Sequence, residues 1–342
     1  MRLAILFAFS ALLAAPPAGA QGPRLTGYAP PDTSLLLGID LKGMRESTFG
    51  QTLLAQVESD ANLKPALAMI GFNPLRDIDE ILLAATVTNK KPHGIALIRC
   101  RIDPQLLRSH LATSGAQPET YRGVEILTRP DANPMSLAWL DKTLLIAGDS
   151  ERVRAAIRDG ASASPPAALA SRVAELDAMH LWFISRVSPA EFGPETSPTA
   201  PGPQMQAELL KSIVEISGGI RLAEDVTISL EAVMRTPKDA EGLAALLRMG
   251  IGLAASDRRS PREAAAILEK LQLRAEGNSL KLSLAIPQAE LANIIKAAAQ
   301  QQAQKPKPPS EVTVEAAPQQ PQGVTVHSSP SDMGVVTLPP PK

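Results

Sequence analysis

The sequence predicts an α+β protein of two related halves, each a mainly antiparallel sheet with helices packed largely on one face. Three observations carry that expectation. Residues 78–111 hold a complete strand, turn, strand and helix: residues 81–87 suit a buried strand, Asn89-Lys90-Lys91-Pro92 breaks it, residues 95–102 return, and Asp103 caps a helix with Pro104 at its first position. Residues 220–249 repeat this grammar in other residues, passing through Asp225 into a strand over 226–234 and a helix opened by Thr236-Pro237. Each half then closes with a hairpin that feeds a helix, over 135–149 and over 271–286.

In chain order, residues 34–41 read as a first strand ending at Asp40. Two helical patterns follow, one carrying Phe49, Leu53, Leu54 and Val57, the other opening at Asn62 and Pro65 and stopping at Gly71. After the 78–111 unit comes a strand over 121–128, started through Gly123. The hairpin at 135–149 turns around Asp141-Lys142, with Leu137 and Trp139 alternating on one arm and Leu144 and Ile146 on the other. Asp149 or Ser150 caps the next helix, whose stripe is Val153, Ala156 and Ile157 and whose stop is Gly160. Residues 161–166 form a linker. A helix with Leu169, Val173 and Leu176 then leads to a strand over 180–187 and a Pro- and Thr-containing loop over 188–203. After the echo unit, Ser260 and Glu263 stand at capping-box spacing, the 271–286 hairpin turns at Gly277-Asn278, and a helix starts from Pro287.

The ends differ from this body. Arg2, an apolar run over 3–15 and Ala18-Gly19-Ala20 have the form of a cleaved export signal over 1–20, with a mature start at Gln21 and a destination in the periplasm or outside the cell. Residues 301–342 are rich in Pro and Gln without a sustained period, the composition of a disordered tail. The expected layout is thus 1–20 signal, 21–160 first half, 161–166 linker, 167–300 second half and 301–342 tail.

Composition narrows the function classes. A formal net charge of -1 and 3% aromatic residues argue against nucleic acid as a partner and against aromatic stacking platforms. The single cysteine, Cys100, shares a strand face with Ile98 and Ile102 and reads as a buried inert thiol, since no intramolecular disulfide is open to it. His93, His110, His180 and His327 have no metal-site spacing, and no nucleophile elbow or phosphate loop occurs, so neither a metal nor a cofactor is expected. Ser217-Gly218-Gly219 resembles a nucleophile or an anion nest, yet it precedes a strand and not a helix and reads better as a bend or bulge. Asp77, Asp79 and Glu80 form the densest acidic group, and with Asp40 they are the candidate binding residues. The bland reading of the first three is solvation of a strand start, since no glycine interrupts them as a calcium loop requires.

Pro31-Asp-Thr-Ser-Leu-Leu-Leu-Gly-Ile-Asp40, followed by Gly71-Phe-Asn-Pro-Leu-Arg-Asp-Ile-Asp-Glu-Ile81, resembles a loose group of exported bacterial proteins of unknown function. The resemblance covers mainly the first half. It implies a repeated α/β body behind a signal peptide and supplies no catalytic residues.

The leading expectation is a non-catalytic binding or structural protein of the cell envelope or extracellular space, reaching another envelope protein or the cell wall through its tail, with no membrane span after signal cleavage. An extracytoplasmic hydrolase using Asp40, Asp77 or Asp79 in a cleft between the halves is the alternative. A small-ligand or lipid carrier, holding its cargo between the sheets, is a third.

Overall fold

The structure is a computed structural model that describes residues 24–59, 72–88, 91–113, 115–130, 134–162, 166–189, 208–256 and 267–291. The expected signal, the helix over 62–71, the capping box at Ser260 and the tail all lie outside the described residues.

Twelve strands form one sheet in which every pairing is antiparallel. They are β1 Leu35–Asp40, β2 Ile78–Thr88, β3 Lys91–Cys100, β4 Gln117–Tyr121, β5 Val124–Arg129, β6 Met135–Trp139, β7 Leu144–Asp149, β8 Leu181–Ser185, β9 Ile213–Leu222, β10 Asp225–Met234, β11 Gln272–Glu276 and β12 Ser279–Pro287. Their spatial order is β11-β12-β10-β9-β8-β1-β2-β3-β7-β6-β5-β4. The helices are α1 Leu41–Glu46, α2 Thr48–Ser59, α3 Pro74–Asp77, α4 Pro104–Thr113, α5 Ser150–Asp159, α6 Ala170–Leu176 and α7 Pro237–Ser256, with a 3₁₀ turn, η1, at Leu25–Tyr28.

The α+β class and the antiparallel pairing stand as expected. Two separate sheets do not: β1 pairs β8, so strands from both sides of residues 161–166 share one sheet, and the described residues all fall in one compact unit. Cargo held between two sheets therefore has no place in this fold. Counted outward from the β1–β8 seam, β1-β2-β3-β7-β6 and β8-β9-β10-β12-β11 run in matching order, each with a helix after its third strand.

The register fixes which side chains share a face. One row crosses the sheet as Ile95, Ala84, Leu36, Ile184, Ser217, Glu231 and Lys281, apolar on the β3 side and polar on the β12 side. On that first face η1, α5 and α6 cover the apolar part, with Leu25, Val153 and Val173 packed into one core with Leu36, Leu97, Ile146 and Ile184. The next row, Ala96, Leu83, Leu37, Phe183, Gly218, Leu230 and Leu282, lies on the opposite face and holds no polar side chain. There Ala240 and Ala244 of α7 pack on Ala232, Met234 and Leu280. The helices thus divide between the faces instead of collecting on one, because β10 and β12 are polar on the first face and must bury their apolar side on the other.

Several local readings change. A strand, β4, precedes the one expected at 121, and the two join through Arg122 and Gly123, both at positive φ (50° and 81°), as a two-residue hairpin turn requires. Ser217-Gly218-Gly219 lies inside β9, not before a strand: a Cβ on Gly218 would come within 2.3 Å of the Ser229 carbonyl oxygen, so the neighbouring strand requires the glycine. In β6 the buried side chains are Ser136 and Ala138, while Leu137 and Trp139 take the half-exposed face.

Candidate functional site

A recess lies at the end of the sheet where β1 and β3 finish and β2 and β8 begin. It holds about 950 Å³. Gly38, Leu82 and Trp182 contribute apolar surface, η1 gives Leu25 and Thr26 with Arg24 just before it, the β6–β7 turn gives Asp141 to Thr143, and Asp177 and Met179 come from the segment between α6 and β8. The wall at η1 is pinned from an unexpected quarter. Ser162, in the segment expected to be a linker, donates its backbone N–H to the Gly27 carbonyl at 2.9 Å.

Three of the four acidic candidates meet here and one does not. Asp40, Asp79 and Glu80 line the recess. Asp77 ends α3, where its carboxylate accepts the Asn73 N–H at 2.9 Å and holds the corner before β2. Asp79 and Glu80 lie within β2 and not ahead of it. The pairing jumps from Ile78 opposite Cys100 to Glu80 opposite Arg99, so Asp79 is the extra residue of a β-bulge. Arg45 of α1 and Arg101 both donate to Asp79, and Arg45 also donates to the Leu75 and Ile78 carbonyls at 2.9 and 2.7 Å. Asp79 is therefore held in a structural clamp between α1 and the start of β2.

Asp40 and Glu80 are cross-strand partners. Asp40 is the N-cap of α1, its Oδ1 accepting the Gly43 N–H at 2.8 Å. Glu80 lies 3.5 Å from Arg99 Nε, and burial pushes its pKa up, with Asp40 and Asp177 adding to the rise and Arg99 opposing it. Although 46% of the Glu80 side chain is exposed, it opens into a recess and not onto a convex surface, so its charge is poorly hydrated for its exposure. Asp141 behaves oppositely. Burial raises its pKa, but the Thr143 and Leu144 N–H groups, at 2.7 and 2.8 Å, and the Thr143 hydroxyl outweigh this and leave it lowered.

Sequence reasoning missed Thr26, Arg99, Asp141 and Asp177. Arg99 left a signal as an arginine among apolar residues on β3, and Asp141 as the turn of the 135–149 hairpin though not as part of a site. The others reach the recess from turns that long-range pairing brings together. Among the described residues no three His, Cys, Asp or Glu side chains stand close enough to hold a metal ion, and no helix is long and apolar enough to cross a membrane. His93 and His180 are apart, the latter accepting the Leu222 N–H at Nδ1. Cys100 is buried, and burial raises the pKa of its thiol.

No family model and no curated protein match this chain. Among solved structures it is similar to TP0453. Crystal form III aligns with a TM-score of 0.48 at 9% identity, covering 81% of this chain and 98% of that one. Forms I and IV give 0.42 and 0.45 at 8% identity, covering 81% and 80% of this chain and 98% and 96% of theirs. At such scores the likeness carries no argument about function, which rests on the residues themselves.

A second, smaller recess of about 300 Å³ lies on the polar part of the first face. Arg172 of α6 reaches across it to Glu231 and Glu215 on the sheet, at 2.6 and 2.9 Å, and to Glu175 on its own helix at 2.7 Å. This hub ties α6 to β9 and β10.

Proposed function

We propose that this chain is an exported, non-catalytic binding protein of the cell envelope or extracellular space, with the recess beside η1 as its ligand site. The observation that carries the reading is how the carboxylates are used. Asp40 caps a helix, Asp79 sits in an arginine clamp and Asp141 closes a turn. A general acid and base must be able to exchange protons with substrate, whereas these groups are held as hydrogen-bond acceptors by the backbone or by arginine. What they shape is a recess of the size small-molecule sites usually have, roughly 300 to 1,000 Å³.

The hydrolase reading has one observation in its favour, the raised pKa of Glu80, which suits an acid at moderately low pH. Native mass spectrometry of the protein recovered from the extracytoplasmic fraction separates the two. A binding protein carries an intact adduct that Glu80→Gln removes and that is recovered chemically unchanged after prolonged incubation; conversion of the adduct would move the assignment to the hydrolase. We also propose that the matching strand order reflects an internal duplication, with halves at 21–160 and 167–300. Separately expressed halves that each give a cooperative melt would support it, and halves that stay unfolded would count against it.

A further inference from the structure

We infer that the outer edge of β11 is a self-association surface, where a second copy of this chain lays its own β11 antiparallel and continues the sheet across a two-fold axis. The two ends of the twelve-stranded sheet, β4 and β11, are built differently. β4 carries Pro118, which has no N–H to give a further strand. β11 holds no proline and no lysine over Gln272–Glu276, and its register with β12 runs without a bulge. Its backbone pairs with β12 and with nothing else among the described residues. An edge of this kind is a template for another strand.

Charge selects a second copy as that strand. Residues directly opposed in an antiparallel pair share a face, so a symmetric pairing that joins first face to first face centres on one β11 residue. Centring on Arg274 opposes two arginines, and centring on Glu276 opposes two glutamates. Centring on Ala275 opposes Arg274 to the partner's Glu276 and Glu276 to the partner's Arg274, and it sets Leu273 against the partner's Gly277, which has no side chain to resist. Within their own chain Arg274 meets Gln272 at 3.3 Å and Glu276 meets Lys281 at 2.8 Å, but both contacts lie in solvent and a carboxylate has acceptor sites for a second donor.

α7 adds an independent feature. Ala240 and Ala244 share a core with Leu273 and Ala275 of β11. The turns that follow leave Leu247, Met249 and Leu253 exposed by 37%, 59% and 68%. The two-fold axis stands perpendicular to the joined sheet, so both α7 helices lie on one face of it, on either side of the β11 junction. Their open apolar turns are there to cover each other.

The test is sedimentation velocity of the full chain over a wide range of concentration, and the expected result is a reversible equilibrium of monomer and dimer. Arg274→Glu puts two acids on the edge and Glu276→Arg two bases, and each variant dimerises about tenfold more weakly or worse. Mixing the two variants restores the dimer, because each then meets opposite charge at both positions. Leu253→Asp also weakens association, and Thr120→Glu on β4 leaves it unchanged. Ala275→Cys, which needs no charge change, gives an intermolecular disulfide under mild oxidation, since directly opposed strand residues lie within disulfide reach. A chain that stays monomeric at every concentration, a dimer indifferent to Arg274→Glu, cooperatively melting variants that stay monomeric when mixed, or a dimer that Ala275→Cys does not crosslink overturns the assignment.

Discussion

Gly38 of β1 and Trp182 of β8 face each other across the seam that joins the two sets of strands, and the indole occupies the space a side chain at 38 would need. A Cβ on Gly38 would lie 2.2 Å from Trp182 Cε2. The glycine here is a matter of packing, since its backbone is ordinary extended strand. Gly38→Ala is expected to displace the indole, shift its emission and destabilise the fold by about 1 to 3 kcal/mol, the usual range for overpacking. Denaturant melts monitored by Trp182 fluorescence in the Trp139→Phe background check this, and an unchanged midpoint would show that the ring moves aside without cost.

Arg172 is the most heavily engaged cation among the described residues. Its side chain is 17% exposed and touches Glu215 and Glu231, 16% and 19% exposed. Arg172→Ala takes the shared arginine from two largely sequestered carboxylates, leaving Glu215 only Arg186 at 4.0 Å, and a loss of about 2 to 4 kcal/mol is expected, somewhat below the range for a fully buried pair. The pH dependence has a definite sign. Burial works to raise the Glu231 pKa, yet the Arg172 and Ser279 hydrogen bonds outweigh it, so the folded value is below the ordinary 4.5. A depressed folded pKa contributes stability above the unfolded value and loses it as pH falls through the folded one. The gap between wild type and Arg172→Ala in thermal melts should therefore narrow below about pH 4.5.

The Cys100 thiol, 1% exposed with its pKa raised by burial, is expected to resist an aromatic disulfide reagent in the folded protein and to react fully once denaturant is added. Rapid labelling without denaturant would mean that β3 opens at that end.

Much of the fold is legible in the sequence where chemistry and periodicity agree. Asp103 caps α4 through the Gln105 N–H at 2.9 Å, Gly160 ends α5 at a φ of 68°, and the β11–β12 hairpin turns at Gly277-Asn278 with its alternation intact. β4 was illegible because Gln117-Pro-Glu-Thr-Tyr121 is an exposed edge with no apolar alternation to betray it, and its Pro118 and Glu119 also discourage further strand pairing. The single sheet was illegible for a different reason. Leu35-Leu-Leu and Leu181-Trp-Phe-Ile are apolar on both faces, which marks central strands, but nothing local states that they pair with each other across more than 140 residues. The recess follows from that pairing: Asp40 and Glu80 are visible as acids near strand ends, while their opposition and the approach of Thr26 and Asp177 exist only once the seam has closed.

Glu80 gives a second pH prediction of opposite sign. Its folded pKa is raised, so the charged form is disfavoured in the folded state. The resulting cost is absent below the unfolded value of about 4.5 and appears as pH rises through the folded one. Glu80→Gln is therefore expected to match wild type near pH 4 and to be slightly more stable at pH 7, by less than about 1 kcal/mol because the side chain is partly in water. Melting temperatures across that pH range decide it, and a variant that is less stable at neutral pH would show the Arg99 contact to be the stronger influence.

The account turns on three carboxylates, Asp40, Glu80 and Asp177, lining one recess, and the carboxyl of Glu80 reports on their proximity directly. A carbon-detected NMR titration of this group should find its midpoint above the ordinary glutamate value of 4.5, and should find it lowered by Asp40→Asn. A midpoint at or below that value, unmoved by Asp40→Asn, would mean that Glu80 is an ordinary hydrated surface acid and that the recess has no claim to be a site.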